Sequence, residues 1–216
     1  MTIKLYGAML SPFVRKTRVV LALKGVEHET VNVDPRNAPD WYRDLNPLGR
    51  IPALDYDGQI LADSGVICAF LEKTHPEPSL YPEDPYEYAR ALWFEKFGDY
   101  ELGVNCTFGV FFNRVVRRLM GKDADEAAAQ KALQGAVPPL LEYLDRELEG
   151  KTYFVGERLT IADIAVASQL VNFQHAGEGV ESYPNLAAHK ERLHALDPFT
   201  QTIAKESGFL TKVLGG

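Results

Sequence analysis

Asn46-Pro47-Leu48-Gly49-Arg50-Ile51-Pro52-Ala53-Leu54, followed by Asp63-Ser64, is the stretch whose reading decides the fold. Pro47 and Pro52 bracket a glycine, so the backbone between them is bent and cannot be helical. Ala53-Leu54-Asp55-Tyr56 and Gln59-Ile60-Leu61-Ala62 then flank Asp57-Gly58, a pair favoured in two-residue hairpin turns. Asp63 and Ser64 stand just before the apolar run from Val66 to Leu71, where a capped helix begins. A bent loop, a hairpin and a helix start make a small polar pocket suited to the main chain and charged ends of a peptide-like ligand.

Upstream, Ile3 to Tyr6 alternates as a strand. Ser11-Pro12 opens a helix that runs to Lys24 and stops at Gly25, and His28 to Val33 alternates again. Strand, helix and strand with short loops predict a βαβ unit with parallel strands. A short helix is expected over Pro39 to Leu45, and the helix after Ser64 should end near Thr74. The expected order is βαβ-α-ββα, a thioredoxin-like α+β domain over 1–76. Four prolines between His75 and Pro85 mark a linker over 77–85.

Residues 86–216 read as an all-α domain. Tyr86 to Met120 is one long helical segment holding Gly98, Gly103 and Gly109, which predict close packing or a bend. Asp123 with Glu126 predicts a capping box, and Pro138-Pro139 a break. Thr160 with Asp163 predicts a second capping box, stapled by Leu159 and Ile164; the nearly all-apolar helix from Ile161 to Phe173 should be the buried axis. Two further helices are expected over 184–195 and 198–206, with an unremarkable tail.

The formal net charge of −7 argues against a nucleic-acid partner, which needs clustered Lys and Arg. No run approaches the ~18 apolar residues of a membrane span, and the start of the chain lacks a signal-peptide pattern, so a cytoplasmic protein is expected. Cys68 and Cys106 are the only cysteines and lie too far apart for a Cys-x-x-Cys redox or zinc site. Buried free thiols and no metal are expected.

The opening stretch and the Asp63-Ser64-Gly65-Val66-Ile67 run resemble the glutathione transferases, whose first domain carries N-P-x-G-x-[VI]-P-x-L followed by [ED]-S-x-x-I. Gly156-Glu-Arg-Leu-Thr-Ile-Ala-Asp163 is similar to the folding signature of the same family's helical domain. Ser11-Pro12-Phe13-Val14-Arg15-Lys16-Thr17-Arg18 resembles the S-P-x-x-x-[KR]-x-R context of the serine-type members, a bacterial cytosolic branch close to the plant phi and theta types. The resemblance implies a homodimer that binds glutathione as substrate, uses no metal, and conjugates the thiolate to a small hydrophobic electrophile, as in detoxification. A non-catalytic interaction or regulatory protein of the same fold is the alternative.

It further implies roles for single residues. Ser11, at a helix N-terminus, would be catalytic by donating its hydroxyl to the thiolate; without the resemblance, it reads first as a plain helix cap. Such a bond is worth about 1.5–3 kcal/mol, one to two units on a thiol pKa near ~8.5. Tyr6 would be structural. Asp63 would pair with the γ-glutamyl amino group while Ser64 holds its carboxylate. Ile51 would precede a cis Pro52 and offer its N–H and C=O to the cysteinyl main chain. Arg50, next to it, reads equally as a contact for a carboxylate and as a solvated arginine. Two basic residues expected for the glycyl end are missing near Asn37 and Ala38, so Arg36 is the available substitute. Met9, Leu10, Asn105, Phe108 and Phe112 would line the hydrophobic substrate site, the last three sharing a helical face by their spacing of three and four. Ser in place of Cys at position 11 speaks against thiol-reductase and dehydroascorbate-reductase chemistry.

Overall fold

The computed structural model describes residues 2–215, which form two compact units, one reaching to Leu80 and the other starting at Tyr81. The first runs β1 (Ile3–Gly7), α1 (Pro12–Leu23), β2 (Glu29–Asn32), a 3-10 turn (Pro35–Asn37), α2 (Asp40–Leu45), β3 (Ala53–Tyr56), β4 (Gln59–Ala62) and α3 (Ser64–Thr74). The sheet order is β2-β1-β3-β4, with β1 and β2 parallel and the other pairs antiparallel. This is the thioredoxin-like order read from the sequence. Asp57 at φ 55° and Gly58 at φ 89° make the two-residue turn, whose central residues must both be left-handed. Gly7 lets α1 lie directly on β1, since a Cβ there would meet Val14 Cγ2 at 2.3 Å.

A buried ion pair governs the exit from this unit. Lys24, capping α1, places Nζ 2.8 Å from Glu72 Oε2 and donates to the carbonyls of His75 (2.6 Å) and Pro78 (3.0 Å). Glu72 in turn accepts from Ser79 Oγ and the Leu80 N–H. The proline-rich segment, expected from composition to be a plain linker, is held against the domain it leaves.

The second unit is helical: α4 (Pro85–Lys96), a π-helix (Phe97–Val116), α5 (Arg117–Leu119), α6 (Glu126–Gln134), α7 (Val137–Glu147), α8 (Ile161–His175), α9 (Pro184–His194) and α10 (Asp197–Leu214). The long segment is not uniformly α-helical. Its buried residues include the pairs Gly98-Asp99, Leu102-Gly103, Cys106-Thr107 and Val110-Phe111, a repeat of four. The faces of Gly98 and Gly109 are close-packed, as their sequence positions implied: a Cβ on Gly98 would stand 3.1 Å from the Ala165 carbonyl carbon, and one on Gly109 3.0 Å from Ala132 Cβ.

Three local expectations are corrected. The cap of α6 is Asp125, which accepts from the Ala128 N–H at 3.0 Å, and not Asp123, because Glu126 is drawn instead to Arg114. Pro138 and Pro139 fall inside the first turn of α7, where proline is tolerated, so the break lies before them at Gly135. The final helix continues to Leu214, eight residues past the expected end, on an amphipathic pattern that Gly208 does not interrupt.

At α8 the expected box is present. Asp163 accepts from the Thr160 N–H (2.8 Å), Thr160 Oγ1 (2.9 Å), the Phe154 N–H (3.0 Å) and His189 Nε2 (2.8 Å), all buried. Residues 161–173 are all buried, which makes α8 the axis of this unit.

Candidate functional site

The strand register brings the site together. Tyr6 pairs with Ala53 and Ala53 with Ala62, so the C-terminal end of β1, the N-terminal end of β3 and the C-terminal end of β4 share one end of the sheet. From that end emerge three things: the loop to Ser11, the Ile51-Pro52 peptide and Asp63-Ser64. Two strand spacings of about 4.8 Å carry β1 to β4, so the N-termini of α1 and α3 flank a row roughly 10 Å wide. Both are favourable to negative charge, through unpaired N–H groups and the helix dipole.

Ser11 is the N-cap of α1, half-buried, and its Oγ accepts from the Val14 N–H at a long 3.4 Å. The hydroxyl hydrogen has no acceptor among the described residues, so it remains available to an incoming anion. Tyr6 packs instead against Trp41 and Tyr42, ring centroids 5.9 and 6.0 Å away, inside a cluster with Val33, Ala38 and Ala53. Burial pushes its phenol above the ordinary value. Tyr6 is a core residue.

The Ile51-Pro52 bond is cis. Among the described residues, the N–H and C=O of Ile51 make no hydrogen bond. Asp63 sits at φ 77°, an unusual conformation for a residue with a side chain, of a kind that costs about 1–3 kcal/mol and persists where the surroundings over-determine it. Its Oδ1 caps α3 by accepting from Gly65 (2.9 Å) and Val66 (3.4 Å), which leaves Oδ2 clear. Ser64 follows, 4% exposed, as the first residue of that helix.

The two arginines differ. Arg50 is exposed, and its guanidinium has no partner among the described residues. Arg36 is already engaged: its Nε and Nη2 both donate to Asp34 at 2.8 Å, and this bond holds the Asp34 carboxyl below the usual range. Arg36, the expected substitute for the missing basic pair, is thus paired with its neighbour two residues upstream, and would have to leave Asp34 to meet a ligand.

The apolar residues expected at the substrate site are divided between the units. In the first, Met9 is 40% exposed and Leu10 half-buried. In the second, Phe108 is 55% exposed while Asn105 and Phe112 are half-buried. Asn105 turns back to donate to the Glu101 carbonyl at 2.8 Å. The widened helix changes their common face: the exposed apolar line is Tyr100, Val104 and Phe108, spaced by four. Cys68 and Cys106 are both buried and neither is in a disulfide, and burial pushes Cys106 up to about 12, which leaves it unreactive.

Comparison with known proteins agrees with this geometry. A family model described as the glutathione S-transferase N-terminal domain matches residues 5–79, and one described as the C-terminal domain matches 110–197. A probable glutathione S-transferase of Nicotiana tabacum is 32% identical over 200 residues, 88% of this chain and 82% of that protein. The chain belongs to the glutathione S-transferase family. Glutathione S-transferase omega-1 of Mus musculus is 38% identical over 89 residues, and the match spans 41% of this chain and 37% of that protein's length. Among solved structures, a glutathione S-transferase from Rhodospirillum rubrum F11 superposes with a TM-score of 0.86 at 26% identity, covering 93% of this chain and 91% of that one.

Two residues of this glutathione S-transferase site escaped sequence reading. Tyr42 and Asn46 both donate to the Arg50 carbonyl, each at 2.7 Å. The family motif contains Asn46, yet its spacing of four from Arg50 across Pro47 and Gly49 gives no hint of a hydrogen bond. Tyr42 looked like one more apolar residue of a short helix.

Proposed function

We propose that this protein is a glutathione transferase of the serine type, acting in the cytoplasm as a homodimer. The observation that carries the reading is the convergence of Ser11, the unpaired Ile51 peptide groups and Asp63-Ser64 at one end of one sheet. Glutathione lies along that end as an added strand. Its γ-glutamyl carboxylate meets Ser64 at the α3 N-terminus, its amino group meets Asp63 Oδ2, and its cysteinyl main chain pairs with Ile51. Arg50 is the cation free to meet the glycyl carboxylate.

The thiol loses its proton to solvent, and Ser11 donates to the resulting thiolate. One such bond, about 1.5–3 kcal/mol, lowers the thiol pKa from ~8.5 by one to two units, so the thiolate becomes a major species at neutral pH. The sulfur lone pair then forms a bond to an electrophilic carbon, and the leaving group departs with its electron pair. Holding both reactants supplies much of the rest. In the first unit, apolar surface for a small hydrophobic electrophile is offered by Met9 and Leu10, in the loop that leads to Ser11.

Calorimetry with glutathione on wild type and Ser11→Ala, beside turnover of a general aryl halide, tests this. Ser11→Ala should keep its glutathione affinity and lose about 10- to 25-fold in rate at pH 7, with the rising, acid-side limb of the rate profile moved up by about one to two units. No binding by wild type at millimolar glutathione would sink the reading and favour a non-catalytic interaction protein. Sedimentation velocity tests the dimer.

A further inference from the structure

We propose that Tyr42 and Asn46 are positioning residues that aim the Ile51 N–H at the ligand by pinning the neighbouring carbonyl from behind. The inference rests on the glutathione reading of the sheet end and names the part of the fold that prepares it. A carbonyl oxygen has two lone pairs, and here both are taken: Tyr42 Oη and Asn46 Nδ2 each donate to Arg50 O at 2.7 Å. Neither donor is at the surface, with Tyr42 fully buried and Asn46 3% exposed.

The consequence follows from the planarity of the peptide. The Arg50-Ile51 bond is not among the cis bonds, so its C=O and N–H lie in one plane and point in opposite directions. Two inward donors on the carbonyl therefore turn the Ile51 N–H outward. One donor would leave the plane free to swing about a single hydrogen bond; two from different directions remove that freedom.

The donors are themselves fixed. Tyr42 stacks among Tyr6 and Trp41, with centroids 6.0 and 5.9 Å away. Asn46 accepts from the Leu48 N–H at 3.1 Å through Oδ1, and its main chain bonds to Tyr42 O (2.9 Å) and the Gly49 N–H (2.8 Å). Burial also pushes the Tyr42 phenol up to about 12, so it stays a donor throughout the neutral range. An N–H held in its binding orientation before the ligand arrives loses little freedom when the ligand binds.

The test uses the whole chain as wild type, Tyr42→Phe, Asn46→Ala and the double variant. Tyr42→Phe keeps the ring in the core and removes only the hydroxyl. Calorimetry should give a glutathione Kd raised about 3- to 10-fold in each single variant, the scale of one net hydrogen bond. The double variant should lose less than the product of the two, because either loss already frees the plane. With aryl halide as co-substrate, KM for glutathione should rise while kcat stays within about twofold.

Amide exchange followed by NMR supplies the readout that a general loosening of the core would not give. Glutathione should protect the Ile51 N–H in wild type, and Tyr42→Phe should lose that protection while Gly65 and Val66 keep theirs. A Tyr42→Phe protein with wild-type Kd and wild-type Ile51 protection overturns the inference alone; should that variant fail to fold, Asn46→Ala decides by the same readouts. Failure of wild type to bind glutathione overturns the proposed function first, and this inference with it.

Discussion

The two units put their polar groups to opposite uses. In the first, backbone groups and caps at one sheet end are left facing outward: among the described residues the Ile51 N–H and C=O and Asp63 Oδ2 make no hydrogen bond, and the Ser11 hydroxyl, which accepts from the Val14 N–H, has no acceptor for its own hydrogen. In the second, a set of buried polar side chains is spent on each other. Asp163 takes four donors, Thr107 Oγ1 donates to Gln169 at 2.7 Å, and His175 Nε2 lies 3.0 Å from Glu206. The difference separates a surface prepared for a ligand from a frame held by its own hydrogen bonds. Substitutions in the frame should therefore cost stability, and substitutions at the sheet end should cost binding or rate.

The largest effect expected from this contrast is at Asp163. Asp163→Ala would strand the Thr160 and Phe154 amides, the Thr160 hydroxyl and His189 Nε2 in the interior. Each unsatisfied buried group costs about 1–3 kcal/mol, and partial relaxation makes a total near 3–5 kcal/mol reasonable. Urea denaturation should show the midpoint collapse, and a variant within about 1 kcal/mol of wild type would mean that the network contributes little.

Lys24 breaks the contrast from the other side, since it is a buried network inside the ligand-binding unit. Lys24→Met removes the cation and leaves Glu72 with its charge partly buried, which should cost about 3 kcal/mol. The pair replaced together, Lys24→Met with Glu72→Leu, should recover much of the loss. No recovery would show that the Ser79 and Leu80 bonds to Glu72 matter more than the ion pair.

Gly98→Ala should cost about 1–3 kcal/mol by overpacking, because its Cβ would meet α8 backbone that cannot step aside. Gly208, in a helix with nothing near the added Cβ, is the control, and alanine there should be neutral or stabilising by up to about 1 kcal/mol. Equal effects at the two glycines would mean that propensity, not packing, decides.

Legibility followed the same division. The sheet end was readable because turns, caps and proline-bent loops are written within a few residues: Asp57-Gly58, Ser11-Pro12 and Asp63-Ser64 each act on their immediate neighbours. The Thr160-Asp163 box was readable for the same reason. The widened helix was not, because glycines at 98, 103 and 109 speak for close packing or a bend and carry no signal for the hydrogen-bond spacing of the turns. The Asp125 cap was missed because Asp123 with Glu126 satisfies the same spacing rule, and only the ion pair of Glu126 with Arg114 decides between them. Tyr42 and Asn46 were missed because their shared acceptor lies across a loop whose path no local rule supplies.

Arg36 is the smallest effect and the sharpest test of where the ligand-facing surface ends. Asp34 and Arg36 are both well exposed, so their pair is worth at most about 1 kcal/mol after solvent screening. The Asp34 carboxyl is held low chiefly by the Arg36 hydrogen bond. A depressed folded-state pKa contributes stability above the unfolded value, near ~3.9, and that stability is lost as pH falls through the folded one. Arg36→Ala should therefore lie slightly below wild type in stability at neutral pH and merge with it in strong acid. Its glutathione Kd should change less than about twofold, because the guanidinium is committed to Asp34, whereas Arg50→Ala should weaken binding about 3- to 10-fold. If Arg36→Ala instead loses tenfold in affinity while Arg50→Ala loses nothing, the guanidinium exchanges Asp34 for the glycyl carboxylate on binding. The prepared surface would then extend past β1 to the turn after β2, at the same end of the sheet.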